Sequence, residues 1–290
     1  MVDAIEKLII MLIRGVLYGG FISLTACGLS ISFMLGFINA SHGDFAVLAA
    51  YISLLFAWMD INPFISLPIV AIILIGFEIL MQKFLLNKFL VTQNFDAMLI
   101  LTFAIGIVIR NILQICFSAD LRSLTMPFLV KSLEIGFIII PYTYLINFAA
   151  TIAMFIILHY SLKNTFLGKG LRAVAQDREA AMIQGIKPET AGMVAIVIIT
   201  ITQVVFGVLM GVTYSFNPFA GGQYLLLPFG SIMLSGLGSL KRTFIGGIIL
   251  GEMIILTGYY LGSIYQLVIV YTIILIILLF KPEGLLTRVK

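Results

Sequence analysis

A chain of 290 residues that is 61% hydrophobic and only 10% charged cannot have water as its main solvent, since an ordinary soluble domain carries about 25% charged residues. A hydrocarbon core about 30 Å thick takes about 20 apolar residues per helical crossing, so this length holds at most about ten crossings and leaves little for a soluble domain. The net charge of +4 does not point to nucleic acid, because the basic residues lie in loops between apolar runs, where membrane topology accounts for them.

Apolar runs between charges and breakers predict nine membrane segments, near residues 9–36, 44–59, 63–85, 97–117, 137–160, 193–214, 222–239, 244–261 and 264–280. The expected fold is all-α, a single polytopic transmembrane domain over residues 1–290 with roughly eight to ten membrane helices in contact with lipid. Asp3, Glu6, Lys7 and Arg14 flank the first run and no small-residue cleavage site follows it, so this helix is expected to remain in the mature protein. Gly221, Gly222, Pro228, Gly230, Gly236 and Gly238 make the segment 222–239 a poor continuous helix, expected to be broken or re-entrant. Cys27 and Cys116 sit inside apolar segments without metal or redox spacing and read as packing thiols.

Orientation follows from Lys and Arg in short loops. If residues 161–192 are cytoplasmic, alternation over nine spans also puts residues 86–96, the Lys241–Arg242 pair and the C-terminus inside and the N-terminus outside. Counting Lys83 with the first of these regions, they hold twelve of the seventeen basic residues, among them Arg288 and Lys290.

Glu78, Arg110 and Glu252 fall within predicted spans, where a central charge costs about 2.5–3.5 kcal/mol on insertion scales, so they should face protein or water. Arg110 is a candidate either to attract a carboxylate on a translocation path or to pair with Glu78 or Glu252. Glycines four apart at Gly15 and Gly19, Gly207 and Gly211, Gly247 and Gly251, and Gly258 and Gly262 permit close helix contact. Ser41 with Asp44 three residues later reads as a capping box that starts a new helix. The N–H groups of such a helix start suit a substrate carboxylate, although the Asp44 side chain competes for them. His42 is either a gate or proton sensor or, more simply, a structural hydrogen-bonding group in a turn.

Residues 161–192 form the longest polar stretch, with five basic and three acidic residues. Within it, residues 168–186 parse as two short helices meeting near Asp177, which can cap the second helix, while Gly185 supplies the left-handed residue that ends it. Ala180 and Ala181 leave a smooth surface for close approach by another protein, and Arg172, Arg178 and Glu179 supply charges. The plainer alternative is an amphipathic loop lying on the membrane surface.

The order Glu179, Ala180, Ala181, three residues, then Gly185 resembles the cytoplasmic loop of the membrane subunits of ATP-binding-cassette importers. In that family the loop docks on the ATPase subunit and carries the effect of ATP binding into the membrane. The resemblance implies that role for Gly168, Arg172, Asp177, Arg178, Glu179, Ala180, Ala181 and Gly185. The run Phe37–Ile38–Asn39–Ala40–Ser41–His42–Gly43–Asp44–Phe45 is similar to the signature of branched-chain amino acid permeases of the shorter, first-subunit type, departing from it at Ala40 and Ser41. Gly236–Leu237–Gly238–Ser239, Gly246–Gly247 and Lys281–Pro282–Glu283–Gly284–Leu285–Leu286 extend the resemblance over the whole chain.

What this resemblance implies is a multi-pass permease in a bacterial or archaeal inner membrane that imports branched-chain amino acids. Its expected partners are two ATP-binding subunits that hold ATP and Mg, a second homologous permease or a second copy of this chain, and an extracytoplasmic amino-acid-binding protein. Asn39, Ser41, His42, Asp44 and Arg110 are candidates for the translocation path or its gate, and Glu78 and Glu252 for structural intramembrane charges. The chain has no Gly-x-x-x-x-Gly-Lys-[Ser/Thr] phosphate loop, so ATP is expected to bind elsewhere, and no zinc-type His or Cys cluster, with His42 and His159 far apart in sequence. Three rivals stand beside this reading. One is the same machine carrying urea, amides or other amino acids, and another is an ion-coupled transporter using Glu78, Asp44 or Glu252. The third is a membrane-embedded enzyme with His42 and Asp44 as an acid–base pair.

Overall fold

A computed structural model describes residues 2–92, 94–126, 131–136 and 138–287. Arg288 and Lys290, counted above for orientation, lie outside the described residues. The helices in chain order are α1 (Val2–Met34), α2 (His42–Trp58), α3 (Pro63–Met81), α4 (Asn87–Val91), α5 (Phe95–Phe117), α6 (Tyr142–Asn164), α7 (Phe166–Gln176), α8 (Arg178–Ile183), α9 (Pro188–Thr213), α10 (Gly221–Ser235), α11 (Leu240–Leu261) and α12 (Gln266–Phe280).

Each of the nine predicted apolar segments thus contains a helix, and the fold is all-α in its membrane part. Among the described residues six helical stretches are long and apolar enough to cross a membrane: Ile5–Met34, Pro63–Leu90, Phe95–Phe117, Tyr142–Asn164, Pro188–Thr213 and Leu240–Leu261. Two shorter apolar helices, His42–Trp58 and Gln266–Phe280, accompany them. The helix α5 shows why lipid is the solvent. Its buried face is Met98, Thr102, Gly106, Ile109 and Leu113, yet the opposite face is also apolar, with Ile100, Phe103, Val108 and Ile115 exposed. A soluble helix would turn charges outward there.

Three local features depart from expectation. The segment predicted from residue 137 begins as an antiparallel hairpin, β1 (Ser132–Ile135) with β2 (Ile138–Pro141), and becomes helical only at Tyr142. Three consecutive isoleucines, Ile138 to Ile140, favour an extended chain, and Gly136 turns it at φ +58°. The segment expected to be broken is a continuous helix, α10, with Pro228 inside it; Gly236 and Gly238, both at φ +84°, fall just beyond its end rather than within it. Between α3 and α4 the chain makes a π-helical turn, Gln82–Leu86, for which the sequence carries no signal. Of the two cysteines, Cys27 is buried as expected, whereas Cys116 is exposed.

The chain divides into two compact units. One comprises Met1–Cys27, Met126–Phe155 and Leu227–Lys290, with a core of Ile22, Leu227, Leu234, Leu250, Ile254, Val270 and Ile274. A close seam joins α1 to α11 through two of the predicted glycine pairs: a Cβ on Gly251 would overlap the backbone of Gly19, and one on Gly19 would overlap the backbone of Ile248. Only residues without side chains let two membrane helices approach so closely. The other unit comprises Gly28–Thr125 and Ile156–Leu226. At its centre is α2, packed against α9, α3 and α5. Its apolar circumference suits a helix buried on all sides, and a Cβ on Gly207 of α9 would overlap the Ala46 carbonyl.

Candidate functional site

The signature run at residues 37–45 builds the start of α2, and every side chain from Asn39 to Asp44 is buried. The capping box read from Ser41 and Asp44 is not what holds this turn, since Ser41 makes no side-chain cap bond. Instead Asn39 Oδ1 accepts from the Ser41 N–H at 3.2 Å and from Ser41 Oγ at 2.8 Å, an Asx turn of the kind asparagine favours two residues ahead of a donor. The Ala40 N–H donates to Thr102 Oγ1 at 3.1 Å, tying the run to α5.

Asp44 is free of the capping role because its carboxylate is taken by Arg110. Nε donates to Oδ1 at 2.6 Å and Nη2 to Oδ2 at 3.0 Å, a two-pronged geometry that matches the planar guanidinium. Arg110 therefore pairs with neither Glu78 nor Glu252, the partners its sequence position had suggested. The carboxylate sits in a notch made by missing side chains: a Cβ on Gly106 would collide with Asp44 Oδ2, and one on Gly221 with Asp44 Oδ1. Thr102, Gly106 and Arg110 are four residues apart, so one face of α5 supplies a hydroxyl, a gap and a cation in succession. That row was legible in the sequence, but Thr102 and Gly106 carry no chemistry that singles them out. Gly221 and Gln203 were likewise missed.

His42 Nδ1 lies 3.2 Å from Gln203 Nε2 on α9, so the histidine serves at least as a structural hydrogen-bonding group. Gln203 Oε1 and Asn39 Nδ2 are buried without a hydrogen-bond partner. Asn39, Ser41, His42, Asp44 and Arg110 thus do form one constellation, joined by Thr102, Gly106, Gln203 and Gly221.

Glu78 is apart from it. This residue of α3 is fully buried, as a charge inside a span should be, but neither carboxylate oxygen has a hydrogen-bond partner. Thr200 on α9 is the hydroxyl beside it, yet Thr200 donates to the Ile196 carbonyl at 2.8 Å. Glu252 belongs to the other unit, where it faces Gly15, whose absent side chain leaves it room.

The loop between α6 and α9 folds as its local signals dictate. Thr165 Oγ1 caps α7 by accepting from the Gly168 N–H at 3.0 Å, and Gly168 packs so closely on the end of α6 that a Cβ would strike the Ser161 carbonyl. Asp177 caps α8, accepting from the Ala180 N–H at 2.9 Å, and Gly185 follows at φ +83°. Arg178, expected to offer its charge outward, instead donates to the Leu90 carbonyl of α4 at 2.6 Å. This bond brings residues 86–96 and 161–192 together, as same-side loops require. Arg172 reaches the Lys163 carbonyl at 3.4 Å. Of the two alanines, Ala181 is buried and only Ala180 is exposed; Glu179, Met182 and Ile183 complete the outward face, Ile183 being 88% exposed.

Apolar helices with apolar outer faces and one stiff polar hairpin define a multi-pass helical membrane protein. The chain belongs to the family described as the branched-chain amino acid transport system permease component, whose sequence model matches residues 11–278. It is similar to the high-affinity branched-chain amino acid transport system permease protein LivH of Salmonella typhimurium, at 27% identity covering 95% of this chain and 94% of that protein. The corresponding protein BraD of Pseudomonas aeruginosa is 24% identical over 96% and 95% of the two chains. A probable branched-chain amino acid transport permease LivH of Methanocaldococcus jannaschii is 25% identical over 98% and 93%. No solved structure matches this chain significantly.

Proposed function

We propose that this chain is the membrane-spanning subunit of an ATP-binding-cassette importer for branched-chain amino acids such as leucine, isoleucine and valine. It takes substrate from an extracytoplasmic binding protein and releases it to the cytoplasm by alternating access. Two separate ATPase subunits hold ATP and Mg, and a homologous permease or a second copy of this chain completes the membrane pair in the inner membrane. The relatives' roles as branched-chain amino acid transport permeases support the cargo and the transport class.

The observation that carries the coupling role is the α7–α8 hairpin. It is capped at Thr165 and Asp177, closed at Gly185 and fastened to α4 by Arg178, and it still presents Glu179, Ala180, Met182 and Ile183 outward. A short helix with both ends fixed transmits a push because it has few internal degrees of freedom, and exposed apolar side chains beside a charge suit a protein partner.

The test is ATP-driven leucine uptake by the reconstituted complex in proteoliposomes. Gly185→Val forces a β-branched residue into the left-handed region, a strain of about 1–3 kcal/mol, and should abolish uptake while membrane insertion persists. Glu179→Lys should reduce the ATPase stimulation given by loaded binding protein. Unchanged uptake and stimulation in both variants would refute the docking assignment. Competition by urea but not leucine would change the cargo, and uptake that survives without ATPase subunits but collapses with an uncoupler would overturn the transport class.

A further inference from the structure

The α7–α8 hairpin leaves a cleft of about 460 Å³ between α7 and the first two turns of α9, within the range of small-molecule cavities, about 300–1,000 Å³. Its wall is apolar, with Phe166, Leu167, Ile186 and Val194, and its polar rim carries Lys169 and Lys187, with no acidic residue in the lining. Both lysines are exposed, and so are Phe166 and Leu167. The site lies where α6 ends at Asn164 and α9 begins at Pro188, at the ends of two helices long and apolar enough to cross a membrane.

An occupant must match three things together: an apolar length along the membrane-facing wall, a negative charge between two ammonium groups, and a position at the bilayer edge. Soluble anions lack the first and neutral lipids lack the second. We infer that this cleft binds an anionic phospholipid, its acyl chain along Ile186 and Val194 and its phosphate between Lys169 and Lys187. Basic pockets at the ends of membrane helices suit acidic headgroups for this reason. Because the bound lipid touches α7 and the Gly185–Lys187 turn together, it also braces the hairpin against α9.

The test is lipid retention by the purified full-length protein, read by native mass spectrometry after equilibration with phosphatidylglycerol and phosphatidylcholine. Wild type should prefer phosphatidylglycerol, and Lys169→Gln and Lys187→Gln should each lower that preference about fivefold. Lys131→Gln, on the exposed approach to the hairpin β1–β2, should leave it unchanged. Gly170→Leu blocks the cleft without touching charge; a Cβ there meets only Ile186 Cγ2, at 3.8 Å, so the fold tolerates the start of a side chain, and retention should fall to the phosphatidylcholine level. Undiminished phosphatidylglycerol preference in the double lysine variant would overturn the proposal. So would displacement of the lipid by millimolar inorganic phosphate, which would make this a free-anion site. Unchanged lipid retention in Gly170→Leu with loss of the co-purifying ATPase subunit would assign the cleft to a protein partner instead, and the lipid proposal would fail.

Discussion

The Asp44–Arg110 pair makes an asymmetric prediction. The two side chains differ in exposure: Asp44 is 1% exposed and Arg110 22%. Arg110→Met strands a carboxylate in the interior with no cation and only the Gly106 and Gly221 notch around it, and breaking a buried pair in this way costs about 3–5 kcal/mol. Asp44→Asn leaves an amide oxygen that still accepts from Nε, and the more exposed guanidinium is less confined than the carboxylate, so the loss is that of one charged hydrogen bond, about 1.5–3 kcal/mol. The double variant removes both problems and should be less destabilised than the sum of the two. Unfolding of the detergent-solubilised protein in mixed dodecylmaltoside–SDS micelles would read these differences, with coupling taken from the double-mutant cycle. If Asp44→Asn is as damaging as Arg110→Met, or the cycle shows additivity, the two side chains do not act as a coupled buried pair.

Glycine substitutions separate helix propensity from packing. An alanine at Gly76, whose added Cβ would meet nothing within 4 Å, should stabilise α3 by about 1 kcal/mol, whereas Gly106→Ala should destabilise by about 1–3 kcal/mol through overpacking against Asp44; a gain at both positions in the same unfolding assay would contradict the notch. Glu78→Gln should keep uptake and raise stability by about 1 kcal/mol, because an amide can donate to Thr200 Oγ1 where a carboxylate cannot, and loss of uptake in proteoliposomes would instead make Glu78 a working ion site. Asp177→Ala should remove about 1 kcal/mol of capping and speed hydrogen exchange across 178–183 without altering exchange in the membrane helices, and unaltered exchange in α8 would show that the cap is not what orders it.

What was legible in the sequence was whatever is decided locally. Six of the nine apolar runs became helices long and apolar enough to span a membrane because length and apolarity alone specify such a helix, and the Asp177 cap and the Gly185 stop follow from residues within a few positions of each other. The run Ile138–Ile140 was misjudged because a short apolar stretch looks alike as strand or helix until its neighbours, here Gly136 and Pro141, are weighed. The proline in α10 was expected to break a helix that in fact continues through it. The capping box failed for a different reason. Ser41 and Asp44 have the right spacing, but Arg110, 66 residues further on, draws the carboxylate away, and only tertiary structure reveals that competition. The same holds for Arg178, whose partner is a main-chain carbonyl and so leaves no trace in side-chain patterns.

The wide turn at Gln82–Leu86 sets the clocking of everything beneath it. Each residue of an α-helix advances the azimuth by about 100°, so one surplus residue in that turn rotates α4 by about that angle relative to an unbroken continuation of α3. In the rotated setting Leu90 points its side chain at Gly192 and its carbonyl at Arg178. The fastening of the polar hairpin is therefore dialled in by a backbone irregularity several residues away, and a single-residue deletion there would unhook α4 from the hairpin without changing any side chain in the contact.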